Sequence, residues 1–342
     1  MPSSEPALAG LVVATAAIAA AGTWAARHYA VRRRLVDQPG DRRSHAVATP
    51  RGGGIAILAA LLVACAWAWL VPDQAAGVVG PPLVASLALG ALLVGAVGWL
   101  DDHRPLSPWS RLLVHALAAV QLAAVTWWLS HDPVATALAF AGPVVLANVW
   151  NFMDGIDGIA ASQAALAALV FVAGVPAWGE VVALGLAAAC IGFLPFNYPR
   201  ARIFMGDVGS GTIGFVLGAL LSWVALGAPG EPTVPVLLAC LPLCAFLLDA
   251  TLTLARRILN GERWWEPHVS HAYQRLARLS GRHWPVTLGY FVFTLGAGVS
   301  AVVATTEGGA VTMALLAWPV VGAAAWVWIQ CGGMSRAREN ME

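Results

Sequence analysis

The sequence predicts an all-α, polytopic integral membrane protein that forms a single transmembrane domain over residues 1–342. Three observations lead to this fold class. The chain is 59% hydrophobic and only 11% charged, whereas about 25% of the residues in a soluble domain are charged. Its mean hydropathy is +0.74, and apolar segments of about 20 residues, the length that crosses a bilayer, recur from end to end. This composition excludes a disordered chain, a disulfide scaffold and a nucleic-acid-binding protein.

About eleven transmembrane helices are expected along the chain. The first is not expected to be a cleaved signal peptide, because residues 1–6 carry Glu5 and no basic residue. The fifth and seventh segments are short, which is compatible with a tilted or broken helix. The expected spans are 7–26, 52–71, 83–100, 112–130, 134–150, 159–178, 181–196, 211–228, 234–255, 285–304 and 309–329.

The loops between these spans sort by charge. All 19 basic residues are arginines, and all of them fall in alternate loops. Because arginine beside span ends marks the cytoplasmic side, the N-terminus is expected outside and the C-terminus in the cytoplasm. The net charge of +1 then divides into +7 inside, where 19 arginines meet 12 acids, and −6 outside. The expected cytoplasmic segments are 27–51, 101–111, 151–158, 197–210, 256–284 and 330–342.

Carboxylates stand at the cytoplasmic ends of two of these spans. Asp101 and Asp102 are adjacent at the end of the third span, where two like charges near lipid are costly unless a divalent cation or a shared proton offsets them. Asp207 lies in a Gly-Asp-x-Gly-Ser turn before the eighth span. An acid between glycines, beside the free N–H groups of a helix start, suits a metal that bridges to phosphate.

A polar stripe leaves the membrane after the fifth span. Asn148, Asn151, Asp154 and Asp157 recur every three residues, so on a helix or 3₁₀ turn they share one face. A stripe of this kind at the end of a membrane span is difficult to explain by packing alone.

The segment 256–284 is rich in arginine and aromatic residues and contains His268, His271 and Arg275. The cationic groups of these side chains could donate hydrogen bonds to a phosphate-bearing ligand. Alternatively the segment is an amphipathic interfacial helix that touches anionic lipid. Carboxylates for about one Mg²⁺, together with cationic donors at a membrane surface, indicate phosphoryl transfer involving a lipid.

At these positions the sequence resembles the MraY/WecA-like family of polyprenyl-phosphate N-acetylhexosamine-1-phosphate transferases, glycosyltransferase family 4. The resemblance covers nearly the whole chain, and the motifs occur in the family's order. They are Asp37-x-Pro39 with Arg42, Arg43 and His45, PRGG at 50–53, Asp101-Asp102, NVWNFMDGIDG at 148–158, FNYPRARIFMGDVGSG at 196–211, and the histidine-containing loop after the ninth span.

The resemblance implies an enzyme of the bacterial inner membrane whose active site faces the cytoplasm. It would transfer a sugar-1-phosphate from a UDP-sugar to undecaprenyl phosphate, release UMP and thereby initiate a cell-surface glycan. Mg²⁺ is the implied cofactor, with Mn²⁺ as a substitute, and a homodimer is compatible with the family.

The resemblance also implies roles for individual residues. Asp207 and Asn151 would bind the metal ion. Asp101, beside Asp102, would act either as a general base toward the lipid phosphate or as a covalent nucleophile. The other implied catalytic residues are Asp154 and His268. The implied substrate-binding residues are Asn148, Asn151, Asp157, Asn197, Phe204, Arg51, His45, His271 and Arg275.

Two departures from the peptidoglycan branch of the family bear on the donor sugar. The loop after the first span has no lysine, and the string after the ninth reads HVSHAYQR instead of a run of adjacent histidines. Both features favour the branch that starts O-antigen or other lipopolysaccharide-type glycans. The expected donor is a small UDP-N-acetyl sugar such as UDP-GlcNAc, UDP-FucNAc or UDP-QuiNAc.

Two other functions remain as alternatives. An intramembrane prenyltransferase also uses aspartates and Mg²⁺, but the string from Asp101 to Pro105 lacks the third acid of its motif. A secondary transporter would need polar groups near the bilayer midplane, whereas here they gather at one interface.

Three polar residues lie inside predicted spans. His115 and Gln121 are expected to be interhelical hydrogen-bond partners. Asp249 is expected either to pair with Arg256 or Arg257 or to line a groove for the lipid phosphate.

Overall fold

The computed structural model describes residues 5–38, 47–70, 79–227, 235–263, 265–266, 268–306 and 310–339. Within these residues the chain is almost entirely helical, and two short antiparallel strands pair Val36 with Pro50. The elements are α1 (Glu5–Arg33), β1 (Val36–Asp37), β2 (Thr49–Pro50), α2 (Gly54–Leu70), α3 (Gly80–His103), α4 (Pro108–Ser130), α5 (Pro133–Met153), α6 (Ile159–Phe171), α7 (Ala177–Asn197), α8 (Asp207–Leu226), α9 (Val236–Ala239), a 3₁₀ turn (Leu241–Leu243), α10 (Cys244–Leu259), α11 (Ala272–Ser280), α12 (Trp284–Thr306) and α13 (Ala310–Glu339).

The predicted all-α polytopic membrane fold is confirmed. In the described part of the chain nine helical stretches are long and apolar enough to cross a bilayer, with α9, the 3₁₀ turn and α10 counted as one stretch. Two shorter apolar helices, α2 and α6, coincide with the second and sixth predicted spans. The count of eleven crossings and the sidedness of the termini stay predictions.

The central element of the bundle is α8, which packs against both α5 and α3. Almost all of its residues are buried. Glycines allow α5 and α8 to approach closely, since a Cβ atom at Gly218 would overlap the backbone of Gly142 and Pro143. Small residues at a helix crossing are the usual basis of tight packing in membranes, where lipid is as apolar as the helices. The position of α8 is therefore fixed along its whole length.

Several helix ends converge where α8 begins. A Cβ atom at Gly54 would overlap the backbone of Gly209, and one at Gly98 would overlap the backbone of Asp207. These contacts bring the first turn of α2 and the last turns of α3 against the first turn of α8. The side chains that follow Gly98 on α3 are thereby directed to the N-terminus of α8.

Some predicted boundaries differ from the structure. The sixth and seventh spans were placed at 159–178 and 181–196, but α6 ends at Phe171 and α7 already begins at Ala177. Pro176 is the residue that precedes α7, consistent with its inability to continue a helix from the preceding turn. The ninth span is interrupted by the 3₁₀ turn around Pro242 before α10 continues to Leu259. The fifth span is longer than expected, because α5 is 21 residues long.

Two of the buried polar predictions can be compared with the structure. Gln121 is confirmed as an interhelical partner, because its Nε2 donates to the Ser86 carbonyl at 2.7 Å and its Oε1 accepts from the Ser86 hydroxyl at 3.1 Å. His115 is buried, but its Nδ1 has no hydrogen-bond partner among the described residues. The interhelical hydrogen bond expected for the His115 side chain stays a prediction.

Candidate active site

The candidate site is centred on Asp101, Asp102 and Asp207, where α3 ends and α8 begins. Asp102 is 2% exposed, and its Oδ1 accepts a hydrogen bond from the backbone N–H of Asp207 at 3.1 Å. A second, longer bond of 3.4 Å runs from the N–H of Val208 to Oδ2 of Asp102. Asp102 thus satisfies free N–H groups at the positive end of α8, and this contact fixes Asp207 beside α3.

Arg111 joins the other two carboxylates. Its guanidinium donates to Oδ2 of Asp101 at 3.1 Å and also to Oδ2 of Asp207. The carboxylates of Asp101 and Asp207 therefore converge on one guanidinium group. The N–H of Leu106 also donates to Asp101 at 2.6 Å, so the turn between α3 and α4 closes on the same carboxylate.

Arg111 was not among the predicted site residues. In the sequence it counted only as a cytoplasmic charge, since nothing in a one-dimensional pattern shows that the first turn of α4 faces the end of α3. The feature of the sequence that could have indicated Arg111 as a site residue is its position. It lies ten residues after Asp101 and is the last residue of the predicted loop 101–111.

The polar stripe on α5 reaches the same cluster. Asn151 donates from Nδ2 to Oδ1 of Asp207 at 2.8 Å and to the hydroxyl of Ser210 at 3.2 Å. Asn148 lies one turn earlier and donates to the Val144 carbonyl of its own helix at 2.8 Å. The structure therefore brings Asn151 to Asp207 as predicted. Ser210, the serine of the Gly-Asp-x-Gly-Ser turn, is a contact that the sequence reasoning did not single out.

Asp154 follows the last residue of α5 and completes an acidic cluster. Burial, followed by the negative charges of Asp207, Asp102 and Asp157, raises the pKa of its carboxyl group to about 7. Asp154 comes three residues after Asn151, whose side chain contacts Asp207, so it stands at the same end of the bundle. We refer to Asp101, Asp102, Asp154 and Asp207 below as the acidic cluster.

Two loops are tied together beside the acidic cluster by Asn197. Its Oδ1 accepts from the N–H of Gly158 at 2.8 Å, and its Nδ2 donates to the Ile203 carbonyl at 3.0 Å. Asn197 is 4% exposed, so in this structure it holds the loops that carry Asp157 and Phe204. The N–H of Phe204 in turn donates to the Pro50 carbonyl at 2.8 Å.

Arg51 and Asp157 also lie in this framework. Arg51 donates from its guanidinium to the backbone carbonyl of Asp102. Oδ2 of Asp157 lies 3.2 Å from Nδ1 of His283. The backbone carbonyl of Asp157 accepts a hydrogen bond of 2.7 Å from the Thr287 hydroxyl. His45 lies outside the described residues. The roles expected for these residues toward a substrate stay predictions.

The histidines occupy the segment before α11. Nδ1 of His268 lies 2.8 Å from the Ser270 hydroxyl, and burial, followed by the nearby His271 and Arg257, lowers the pKa of His268 to about 4. The role expected for His268 toward a phosphate-bearing ligand stays a prediction. His271 is 3% exposed, and its ring is 4.8 Å from that of His268.

Asp249 fulfils neither of the two expectations. It is 3% exposed and binds the first turn of α11 instead of an arginine or a groove. The reason is that a helix start presents free N–H groups for which a buried carboxylate is a good acceptor. Its carboxylate accepts from the N–H of Ala272 at 2.8 Å, the N–H of Tyr273 at 3.1 Å and the hydroxyl of Tyr290 at 2.7 Å.

Arg275 lies away from the acidic cluster, on α11 next to α13. Its guanidinium donates to Oε1 of Gln330 at 3.0 Å. Its backbone N–H donates to the carbonyl of His271 at 3.1 Å, so Arg275 lies one turn after that histidine, with its guanidinium directed to α13.

The donor set of the acidic cluster fits a hard divalent cation. In the part of the chain that the structure describes, no three His, Cys, Asp or Glu side chains form a ready metal-binding group, and the guanidinium of Arg111 joins Asp101 to Asp207. Carboxylate and amide oxygens are nevertheless the ligands that Mg²⁺ prefers, and Mg²⁺ usually takes only one or two of them from the protein. Asp207 supplies a carboxylate, and the amide group of Asn151 lies beside it with Nδ2 directed at Oδ1 of Asp207.

The fold is a bundle of apolar helices, and four carboxylates lie at the helix ends on one side of it. These features define a polytopic membrane protein with an acidic polar site. A family model described as glycosyl transferase family 4 matches residues 84–225. Three similar proteins cover most of the chain. They are a decaprenyl-phosphate N-acetylglucosaminephosphotransferase of Mycobacterium tuberculosis (32% identical, 84% of this chain and 80% of the relative), a probable undecaprenyl-phosphate N-acetylglucosaminyl 1-phosphate transferase of Bacillus subtilis (26%, 81% and 79%) and a phospho-N-acetylmuramoyl-pentapeptide-transferase of Heliobacterium modesticaldum (30%, 74% and 81%).

The chain therefore belongs to glycosyl transferase family 4, the MraY/WecA-like family that its motifs predict. The family match includes α3, α4, α5 and the start of α8, which together carry the whole acidic cluster.

Proposed function

We propose that this protein transfers N-acetylglucosamine 1-phosphate from UDP-N-acetylglucosamine to a polyprenyl phosphate such as undecaprenyl phosphate. An oxygen of the lipid phosphate forms a bond to the sugar-bearing phosphorus. The bond from that phosphorus to the oxygen shared with the uridine-bearing phosphate breaks, and UMP leaves with the electron pair. The product is a polyprenyl pyrophosphate that carries the sugar.

The observation that carries this proposal is the acidic cluster at the ends of α3, α5 and α8. A phosphate lipid has its charged group at the membrane interface, and the cluster is built from helix ends instead of helix centres. The names of two of the three relatives contain both a prenyl phosphate and N-acetylglucosamine, which supports this acceptor and this donor sugar.

Asp101 is the base in this proposal, because it is next to Arg111 and Asp207 and can take the proton of the lipid phosphate. Asp207 and Asn151 would hold Mg²⁺, or Mn²⁺ in its place. When bound, the ion would neutralise charge on the transferring phosphate and the leaving UMP. Arg111 contributes a second, permanent positive charge at the same place.

The nucleotide is proposed to lie over the loops that Asn197 holds together, near Asp157 and Phe204. The location of the reaction is the cytoplasmic side of the inner membrane, and the product would start a cell-surface glycan. The absence of lysine from the loop after α1 supports a small donor sugar over a muramoyl-pentapeptide.

The test uses the full-length protein in lipid nanodiscs with undecaprenyl phosphate and Mg²⁺. UDP-GlcNAc, UDP-GalNAc and UDP-MurNAc-pentapeptide are compared for the formation of lipid-linked product and for exchange of labelled UMP into the donor. We expect product with UDP-GlcNAc, its loss when Mg²⁺ is chelated, and losses of at least about 100-fold in Asp101→Asn and Asp207→Ala.

The matched control is Asp132→Asn. Asp132 caps α5 at its other end, where its Oδ1 accepts from the N–H of Ala135 at 2.8 Å, and asparagine is an equally good N-cap. This variant should keep full activity. The proposed function would be wrong if no donor gave product or exchange, and the site assignment would be wrong if Asp101→Asn behaved like the control.

A further inference from the structure

A basic cavity of about 420 Å³ lies outside the acidic cluster, between α10, the segment after it, α11 and α13. Among the described residues, its lining contains four arginines and one carboxylate, that of Glu262. The arginines are Arg256, Arg257, Arg275 and Arg278. The helices that form the acidic cluster are α3, α4, α5 and α8, so the two sites are built from different elements.

The positive charge of the cavity is only partly balanced within it. Glu262 pairs with Arg257 at 2.6 Å. Arg256 and Arg275 both donate to the same neutral oxygen, Oε1 of Gln330, at 2.6 and 3.0 Å, and Arg278 donates to a backbone carbonyl. Three of the four guanidinium groups therefore hydrogen-bond to neutral acceptors, and a bound anion would gain charge-assisted bonds from them.

The amide of Gln330 keeps this arrangement in place. Its side chain is 5% exposed, and its Nε2 donates to the Ser270 carbonyl at 2.9 Å. The Nε of Arg257 is buried and has no hydrogen-bond partner among the described residues. A donor of this kind is costly to bury without an acceptor, which a ligand oxygen could supply.

Exposed apolar side chains stand next to the cavity. Leu279 is part of its lining and is 50% exposed. Leu259, three residues after Arg256 on α10 and so on the same helix face, is 86% exposed. A charged recess with apolar residues at its edge matches an amphiphile with an anionic headgroup better than a free anion.

We propose that this cavity binds the headgroup of an anionic glycerophospholipid. Arg275 and Arg278 are three residues apart on α11 and so share one face, where both can donate to the phosphodiester. The acyl chains would lie along Leu259 and Leu279. The site is independent of the proposed transfer reaction, and its test measures lipid binding without turnover.

The experiment measures lipid retention by native mass spectrometry on the full-length protein, with phosphatidylglycerol and phosphatidylcholine of matched chain length. Wild type is expected to bind phosphatidylglycerol at least about tenfold more tightly. In Arg275→Gln/Arg278→Gln the affinity should fall about thirtyfold, which corresponds to about 1 kcal/mol for each arginine near a lipid surface. Arg278→Gln alone should lower the affinity about fivefold. Because Arg278 is exposed, this single variant tests the proposal if the double variant does not fold.

The matched control is Arg263→Gln/Arg282→Gln, which removes the same charge from two exposed residues that do not line the cavity. It should keep its affinity within about twofold. Equal affinity for the two lipids, or an equal loss in the control and the cavity variant, would overturn the proposal. Displacement of phosphatidylglycerol by millimolar inorganic phosphate would also overturn it, because the ligand would then be a free phosphate.

Discussion

Replacement of Arg111 by glutamine tests the electrostatic construction of the acidic cluster. In wild type the guanidinium bonds to both Asp101 and Asp207. In Arg111→Gln the two carboxyl groups lose the cation that they share. The folded protein should therefore lose stability in the absence of a divalent ion, and should depend more strongly on such an ion than wild type does.

The magnitude follows from the burial of the groups. The side chains of Arg111, Asp101 and Asp207 are 25%, 15% and 26% exposed, so the pairs are neither fully buried nor freely solvated. A hydrogen bond to a charged group contributes about 1.5–3 kcal/mol, and solvent screening reduces the sum of two such bonds. We expect a net loss of about 2 kcal/mol, which at about 2–4 °C per kcal/mol lowers the Tm by about 4–8 °C.

The assay is thermal unfolding of the purified protein in detergent, with EDTA and then with Mg²⁺. Arg104→Gln is the control, because Arg104 is an exposed residue at the end of α3 in the same short connection. We expect Mg²⁺ to raise the Tm of Arg111→Gln by several degrees more than that of Arg104→Gln. Identical Tm values for the two variants in EDTA would refute the idea that Arg111 balances the cluster.

Three further predictions concern other parts of the structure. The pKa of Asp154 is higher in the folded protein than in the unfolded chain. Without divalent ions, the free energy of unfolding should therefore fall as the pH rises from about 4 to about 7. Asp154→Asn should weaken this dependence, and chemical or thermal unfolding should show that it is more stable than wild type at pH 8. Gly218→Ala should destabilise the protein by about 1–3 kcal/mol through overlap with the α5 backbone, while Gly289→Ala, with open space around its Cβ, should not lower the Tm. Asp249→Ala should accelerate amide hydrogen exchange over residues 268–280, because the first turn of α11 loses its carboxylate acceptor; unchanged exchange there would refute that role.

The sequence predicted the fold class because hydropathy reports directly on the lipid environment. It also predicted that Asp101, Asp102, Asn151, Asp154 and Asp207 belong together, since each stands at a span end on the same predicted side. That prediction needs only the alternation of loops. The contacts of Asp207 with Asp102 and Asn151, and the guanidinium that it shares with Asp101, agree with it.

The remaining errors have a common physical cause. Arg111 and Asp249 were misjudged because their partners lie on other helices, at positions that depend on how α4 and α11 are docked. The gap between α6 and α7 was misplaced because the apolar composition continues through residues 172–176. Hydropathy is nearly constant there, whereas the helix break depends on local backbone geometry around Pro176.

Asp101 and Asp102 look equivalent in the sequence, but helix geometry separates them. Neighbouring residues on an α-helix point about 100° apart, and on the last turn of α3 this angle directs Asp102 toward the backbone of α8 and Asp101 toward Arg111. Both oxygens of Asp102 accept N–H groups of α8, so its carboxylate is committed to holding Asp207 in place. Asp101 binds instead a side chain and a turn that a substrate phosphate could displace, and it is therefore the member of the pair that is suited to exchange a proton.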